Sequence, residues 1–359
     1  MTVSQQRYTA AVVGGGMGGR LSLKALAASP HYELKAACDL RPEVLATLER
    51  DFPGIRTFTD HQQMFRECPT DIVCVSTFPP SHEEVTMDAL RLPLKGILVE
   101  KPLGHTAASG RRILQAIKAR HLPMAVPHGL LVKHTPLEII KRVQGGEIGD
   151  LKLVEIQCRG WDIINAGIHW LSFFVALTGG DPPMDVLGVC DAGTRTYRDG
   201  MQVETTAVTS VQTRSGVRCI LHTGDTLRVN GEEGRQFVFR LVGTLGMIEF
   251  WGWANDYRLL NAAYPTGQRF EPADDERPPH QRHLDNLAAM IAGGTTDYTI
   301  PDCSLVALEL CEGAYLSSRL RRVITLPLQD EAKMPPADDW TPGEPYTGTG
   351  GGRDGRQFG

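Results

Sequence analysis

The stretch Tyr8-Thr9-Ala10-Ala11-Val12-Val13-Gly14-Gly15-Gly16-Met17-Gly18-Gly19 decides the fold of this chain. Six residues of strand character run into a glycine-rich turn, and the turn opens a helix predicted over Met17–Ala28. Strand and helix signals keep alternating downstream. Glu33–Cys38, Asp71–Ser76, Gly96–Val99 and His121–Val126 read as strands. Pro42–Phe52, Ser81–Leu92 and a segment after Thr106 read as helices, and Ser81 with Glu84 three residues later has the spacing of a capping box. Short apolar strands alternating with amphipathic helices imply an α/β Rossmann-type domain, a parallel sheet wound on both faces, over 1–125.

The pattern then changes. Leu151–Cys158, Asp185–Cys190, Glu204–Thr213, Val217–Thr223 and Gln236–Val242 are longer strand signals with one helix among them, Gly167–Leu177. Two late helices follow, Pro279–Ala292 and Cys303–Arg321. This predicts a second domain over 126–330, of α+β class, with a large, mostly antiparallel open sheet. Residues 331–359 are rich in Gly, Pro and Asp, the composition of a flexible C-terminal arm.

Composition narrows the function. The 37 basic and 42 acidic residues leave a net charge of −5, which speaks against a nucleic-acid partner. No run approaches the ~20 apolar residues that span a bilayer, so no membrane role is expected. Met1–Arg7 lacks an apolar signal core, which predicts a cytoplasmic protein. The eight cysteines form no Cys-x-x-Cys pair, no metal-ligand spacing stands out, and Cys38, Cys74, Cys158 and Cys219 read as buried thiols.

The spacing Gly14-x-Gly16-x-x-Gly19 between a strand and a helix is a dinucleotide fingerprint. Gly14 permits the tight turn, Gly16 lets backbone approach a pyrophosphate at the helix start by Met17, and Gly19 allows close packing. Asp39 ends the second strand twenty residues after Gly19, where a carboxylate accepts the ribose hydroxyls. That favours NAD over NADP, although Arg41 reaches the same place and leaves NADP possible. Thr77-Phe78-Pro79-Pro80 follows the third strand at the ligand-binding edge, so Thr77 and Pro79 are cofactor candidates. His82 is nearby, and a structural role is favoured for it.

Lys101, in Glu100-Lys101-Pro102 at the end of the strand Gly96–Val99, is the candidate reacting group. Pro102 holds it out of the helical region. A cation there stabilises an alkoxide during hydride transfer. Beside these features stand Thr77-Phe78-Pro79-Pro80-Ser81-His82, Gly146-Glu147-Ile148-Gly149, Gly243-Thr244-Leu245-Gly246, and Ser317-Ser318 before Leu326-Pro327. With them the chain resembles the Gfo/Idh/MocA oxidoreductases over nearly its whole length. The resemblance implies an enzyme oxidising or reducing sugars, polyols and their acids with NAD(P), and a homo-oligomer, dimer or tetramer, paired through its sheet.

The family's second catalytic element reads Asp-x-Gly-x-His-x-x-Asp. Here it is Asn165-Ala166-Gly167-Ile168-His169-Trp170-Leu171-Ser172. His169 is kept and is the candidate general base, its reference pKa being ~6.5. Both acids are missing. Asn165, four residues from His169, shares its helix face if the segment is an α-helix. His128, Trp161 and Asp162 are further substrate-contact candidates; Trp251 and Trp253 read as packing or interface aromatics. Three functions follow from these residues. The first is an NAD-dependent sugar or polyol dehydrogenase. The second is a redox-neutral, NAD-dependent glycoside-cleaving enzyme, and the third a non-enzymatic NAD-binding regulator.

Overall fold

The computed structural model describes residues 7–191, 194–229, 235–274, 276–329 and 340–346, and residues 351–353 as backbone only. The chain forms two compact units. One is Met1–Pro127 with Arg277–Asp302; the other is His128–Glu276 with Cys303–Gly359.

The first unit follows the predicted alternation: β1 (Tyr8–Val13), α1 (Met17–Ala28), β2 (Tyr32–Cys38), α2 (Pro42–Asp51), β3 (Arg56–Phe58), α3 (His61–Glu67), β4 (Ile72–Val75), α4 (His82–Ala89), β5 (Gly96–Val99), α5 (Ala107–Lys118) and β6 (Met124–Ala125). The strands lie parallel in the order β3-β2-β1-β4-β5-β6. Helix α1 turns Gly19, Ser22, Leu23, Ala25 and Leu26 inward, the three- and four-residue spacing of one helix face. The strand β3 and the helix α3 were not legible in the sequence. His121–Val126 is shorter as a strand than expected, because His121 takes a left-handed turn with φ 49°. Ser81 forms no capping box; its hydroxyl bonds Thr77 Oγ1 (2.8 Å) and the Phe78 carbonyl (2.9 Å).

The second unit contains α6 (His134–Gln144), β7 (Leu151–Arg159), a π-helical turn at Ile163–Gly167, α7 (Ile168–Leu177), β8 (Pro183–Asp191), β9 (Thr196–Arg198), β10 (Met201–Val203), β11 (Thr206–Thr213), β12 (Arg218–Gly224), β13 (Phe237–Gly243), β14 (Gly246–Phe250), β15 (Tyr257–Asn261) and β16 (Tyr264–Phe270). Then come α8 (Pro279–Gly293), which belongs to the first unit, α9 (Thr299–Leu320), β17 (Ile324–Thr325) and β18 (Gly351–Arg353). Among the described residues, nine strands form one sheet in the order β16-β15-β14-β13-β7-β12-β11-β8-β17. Its pairs are antiparallel except β7 with β12, so the mostly antiparallel α+β domain is as expected.

The placement of α8 departs from the domain span 126–330. Leu284, Leu287 and Ala288 join the core that holds Ala10, Val12, Leu26 and Ile72, so Arg277–Asp302 groups with the Rossmann unit. In the second unit, Phe173 of α7 packs on Phe239 and Phe250, and Ala314 of α9 lies against Gly188, covering one sheet face. The two glycine motifs clasp each other: Leu245 N–H donates to the Ile148 carbonyl (2.8 Å) and Thr244 Oγ1 accepts from Asp150 N–H (3.0 Å). Ser317 and Ser318 accept from the N–H groups of Gly188 and Cys190, each at 2.9 Å.

The described part of the C-terminal arm is held within its own chain. Strand β18 pairs with β9, and the Tyr346 ring packs tilted against Tyr197 with centroids 4.5 Å apart. Residues 331–339, 347–350 and 354–359 of the expected arm lie outside the described residues. No described helix is long and apolar enough to cross a membrane.

Candidate functional site

The glycine turn is built for a close-approaching ligand. Gly14 has φ 102°, and a side chain there would meet the Ser76 carbonyl at 2.2 Å. At Gly19 it would meet the Gly14 carbonyl at 1.7 Å. At Gly16 it would meet nothing within 4 Å, so the backbone faces open space. Helix α1 has no side-chain cap at Gly16 and no acid in its first turn. Its leading N–H groups are thus available to an anion, the property a pyrophosphate site needs. Met17, 77% exposed, stands at this entrance.

Asp39 lies at the other end of the turn. Its carboxylate accepts from Gly15 N–H (2.8 Å), Arg41 N–H (2.9 Å) and Arg41 Nε (3.0 Å). Burial pushes its carboxyl up, but the Arg41 guanidinium and these backbone N–H groups outweigh burial and hold it below the usual carboxylate range. Arg41 therefore sits on Asp39 as its counter-ion. Leu40 between them is 85% exposed, an apolar side chain at the cofactor edge that sequence reasoning passed over.

Thr77, Pro79 and His82 line the turn after β4. Pro79 and His82 are buried. The His82 ring nitrogens lie 2.9 Å from the Pro102 and Thr77 carbonyl oxygens, and burial pulls its pKa down. His82 ties two turns together, the structural role favoured from sequence.

Glu100 and Lys101 follow β5, and the Lys101–Pro102 peptide is cis. Glu100 is 5% exposed; its Oε2 accepts from Lys101 N–H (3.1 Å) and its Oε1 meets His280 Nε2 at 2.7 Å. Burial pushes the Glu100 carboxyl up, but His280 and Lys101 overcome it and leave it below the ordinary range. A Cβ on Gly18 would meet Glu100 Oε1 at 2.9 Å. The glycine helix, the lysine turn and α8 thus converge on one carboxylate. His280 is a site residue the sequence did not reveal.

The second unit holds the other candidates. His128 is fully buried, with Nε2 2.8 Å from Ser304 Oγ and Nδ1 3.0 Å from Ser172 Oγ. It is a core residue rather than an exposed substrate contact. Its ring lies edge-on to His169 at 5.3 Å, and Trp253 approaches His169 from another side at 5.6 Å. Of the two roles read for Trp253, packing or interface, its contacts with His169 and Trp170 are those of packing. Ser172, which replaces the second acid, donates to the His169 carbonyl at 2.9 Å.

Asp162 is 1% exposed and does not face solvent. Its Oδ1 accepts from Asn165 N–H (2.7 Å) and Asn165 Nδ2 (2.9 Å), and its Oδ2 pairs with Arg198 Nη1 (2.5 Å). Arg198 in turn lies 4.5 Å over the ring of Trp161, which is 36% exposed. Asn165 sits in the π-helical turn, so the one-face argument from α-helical spacing with His169 does not hold there.

Residues 8–128 match the GFO_IDH_MocA family, described as an oxidoreductase family with an NAD-binding Rossmann fold. The match covers the strands and helices of the first unit up to residue 128. The resemblance read from the motifs is borne out, and with it NAD as the cofactor of the fold. No curated protein sequence matches the chain. Solved structures extend the likeness at the level of fold. Levoglucosan dehydrogenase in complex with NADH and levoglucosan is 16% identical with TM-score 0.76, covering 90% of this chain and 100% of its own. Aldose-aldose oxidoreductase from Caulobacter crescentus, complexed with glycerol, is 21% identical with TM-score 0.74, covering 89% and 100%. Myo-inositol 2-dehydrogenase from Lactobacillus plantarum is 17% identical with TM-score 0.72, covering 90% and 100%. The α+β unit beyond the Gfo/Idh/MocA domain therefore shares its architecture with these dehydrogenases.

Proposed function

We propose that the chain is a cytoplasmic, NAD-dependent oxidoreductase moving hydride between nicotinamide and a hydroxyl or carbonyl carbon of a sugar, polyol or sugar derivative. The observation that carries this reading is Lys101 at the carboxyl end of β5, on a turn fixed by a buried Glu100, in a Gfo/Idh/MocA Rossmann domain. Structural neighbours described as acting on inositol and levoglucosan support the substrate class.

When bound, the nicotinamide supplies the hydride acceptor for oxidation and the donor for reduction. Gly14, Gly16 and Gly19 let the backbone approach the pyrophosphate, and the α1 N–H groups hold it. Asp39 and Arg41 meet the adenosine ribose. The Lys101 ammonium stabilises negative charge on the reacting oxygen. His169 takes the hydroxyl proton during oxidation and returns it during reduction. With Asn165 in place of an acid, no carboxylate at 165 shares that proton.

The reading includes a homo-oligomer. Leu187, Val189, Val208 and Ile220 point outward from β8, β11 and β12, between 40% and 65% exposed. An apolar strip across three adjacent strands is the type of face a second copy covers. Replacing Lys101 by Met tests the function: turnover should vanish while NAD affinity stays, and retained turnover removes Lys101 from the chemistry.

A further inference from the structure

Three described rings pack around His169. The centroids of His128, Trp253 and Trp170 lie 5.3, 5.6 and 6.2 Å from its own. His128 and Trp170 are 0% and 1% exposed, so their side of His169 is core. Trp253 is 37% exposed, and His169 itself is only partly buried. The side of this cluster that meets solvent is the side of Trp253. A molecule that reaches His169 from solvent arrives beside that indole.

Packing on Trp170, at 5.5 Å, and on His169 covers only part of Trp253. One exposed aromatic is ordinary on a protein surface. This one is pinned. Lys133 Nζ donates to the Trp253 carbonyl and to Asn255 Oδ1, each at 2.9 Å, and lies 3.6 Å from Asp274. Thr135 Oγ1 donates to the Asn255 carbonyl at 3.0 Å. Ala254 N–H closes the turn on the Trp251 carbonyl at 3.2 Å. Gly252 takes φ 60° in this turn, and a Cβ there would meet the Phe237 Cβ at 3.0 Å. A surface held in place before binding gives up little freedom when a ligand covers it.

The face of an indole is electron-rich. The C–H hydrogens of a sugar are slightly positive. In a pyranose or a cyclitol, several axial C–H bonds point to one side of the ring and form a flat apolar face, with hydroxyls around the rim. An open-chain polyol has no such fixed face.

We propose that Trp253 is a specificity-determining residue of the His169 site, which stacks on the C–H face of a cyclic substrate and selects it over an open-chain polyol. The proposal deepens the proposed function and rests on it for the assignment of His169 to the reaction.

The test uses full-length Trp253→Leu and Trp253→Phe. Leucine keeps apolar volume against Trp170 and loses the aromatic face; phenylalanine keeps both. Pyranoses, methyl pyranosides and cyclitols are compared with alditols on the NAD-loaded protein, by steady-state reduction of nicotinamide and by calorimetric titration. The preferred compound should be cyclic. Trp253→Leu should raise its KM and its Kd by about fivefold or more and leave kcat within about twofold, the pattern of an interaction made equally in ground and transition states. Trp253→Phe should stay within about twofold of the parent in KM. NAD affinity should be unchanged in both variants.

A preferred alditol, an unchanged KM in Trp253→Leu, or equal losses in the two variants overturns the proposal and leaves the ring as packing alone. An altered oligomeric mass in Trp253→Leu with KM unchanged assigns the indole to an interface between copies and overturns it equally. Failure of the proposed function reads differently. A cyclic compound that binds the parent, loses affinity in Trp253→Leu and yields no reduced nicotinamide sustains the stacking and removes the reaction. A panel that neither binds nor reacts overturns both.

Discussion

Glu100 Oε1 and His280 Nε2 lie 2.7 Å apart although 180 residues separate them in the chain. The pair stands behind Lys101, with side chains only 7% and 13% exposed. His280→Leu leaves the carboxylate buried with the Lys101 N–H as its remaining named partner. Loss of about 3 kcal/mol is expected, measured by denaturant unfolding, with His280→Gln retaining part of it because its amide still donates. The folded Glu100 carboxyl sits below its ordinary value of 4.5, so its contribution is present above that pH and fades as pH falls below it. A variant as stable as the parent at pH 7 would contradict the role of the pair.

In the proposed function the Asp39–Arg41 pair reads the adenosine ribose. Asp39→Ala removes the acceptor from Gly15 N–H and releases the Arg41 guanidinium. NAD affinity should drop by about tenfold, roughly 1.4 kcal/mol, while NADP binding strengthens relative to it because a released Arg41 pairs with a phosphate. Titration with both dinucleotides measures the ratio. An unchanged ratio would mean that neither side chain reads the ribose.

Glu204 makes stability depend on pH. Burial, and then repulsion from Asp162, push its carboxyl up from 4.5 to about 7. A group raised on folding favours the folded state in its protonated form. That advantage is full below 4.5 and disappears as pH rises through about 7. Glu204→Gln keeps an acceptor for Ile163 N–H, donates to the Tyr315 hydroxyl instead of accepting from it, and removes the titration. Its melting temperature should overtake the parent's between pH 5 and pH 8, at about 1.4 kcal/mol per unit of pKa difference removed. Parallel curves would contradict the raised carboxyl.

The alternation that builds the Rossmann sheet was legible because β1, β4 and β5 are short, largely apolar runs and β2 ends in the buried run Ala36-Ala37-Cys38. The strand β3 escaped notice because it has three residues and one buried side chain, Phe58. The strand β16 escaped for the opposite reason: nearly all of it is exposed, so it shows no inward face. In the site, the glycine turn, Asp39 and Lys101 announce themselves through local spacing. His280 obeys no local rule, since only the fold brings α8 to Glu100. Asp162 was visible, but its role was not. Helical periodicity placed Asn165 with His169, and the π-helical turn instead joins Asn165 to Asp162.

The central claim is net hydride transfer to NAD. The direct measurement is nicotinamide absorbance after mixing the purified protein with NAD and a panel of sugars, polyols, sugar acids and glycosides. The account predicts accumulation of reduced nicotinamide, at least stoichiometric with enzyme, with one polyhydroxylated compound, and none with Lys101→Met. Consumption of a glycoside with no reduced nicotinamide accumulating would contradict it and point to redox-neutral cleavage.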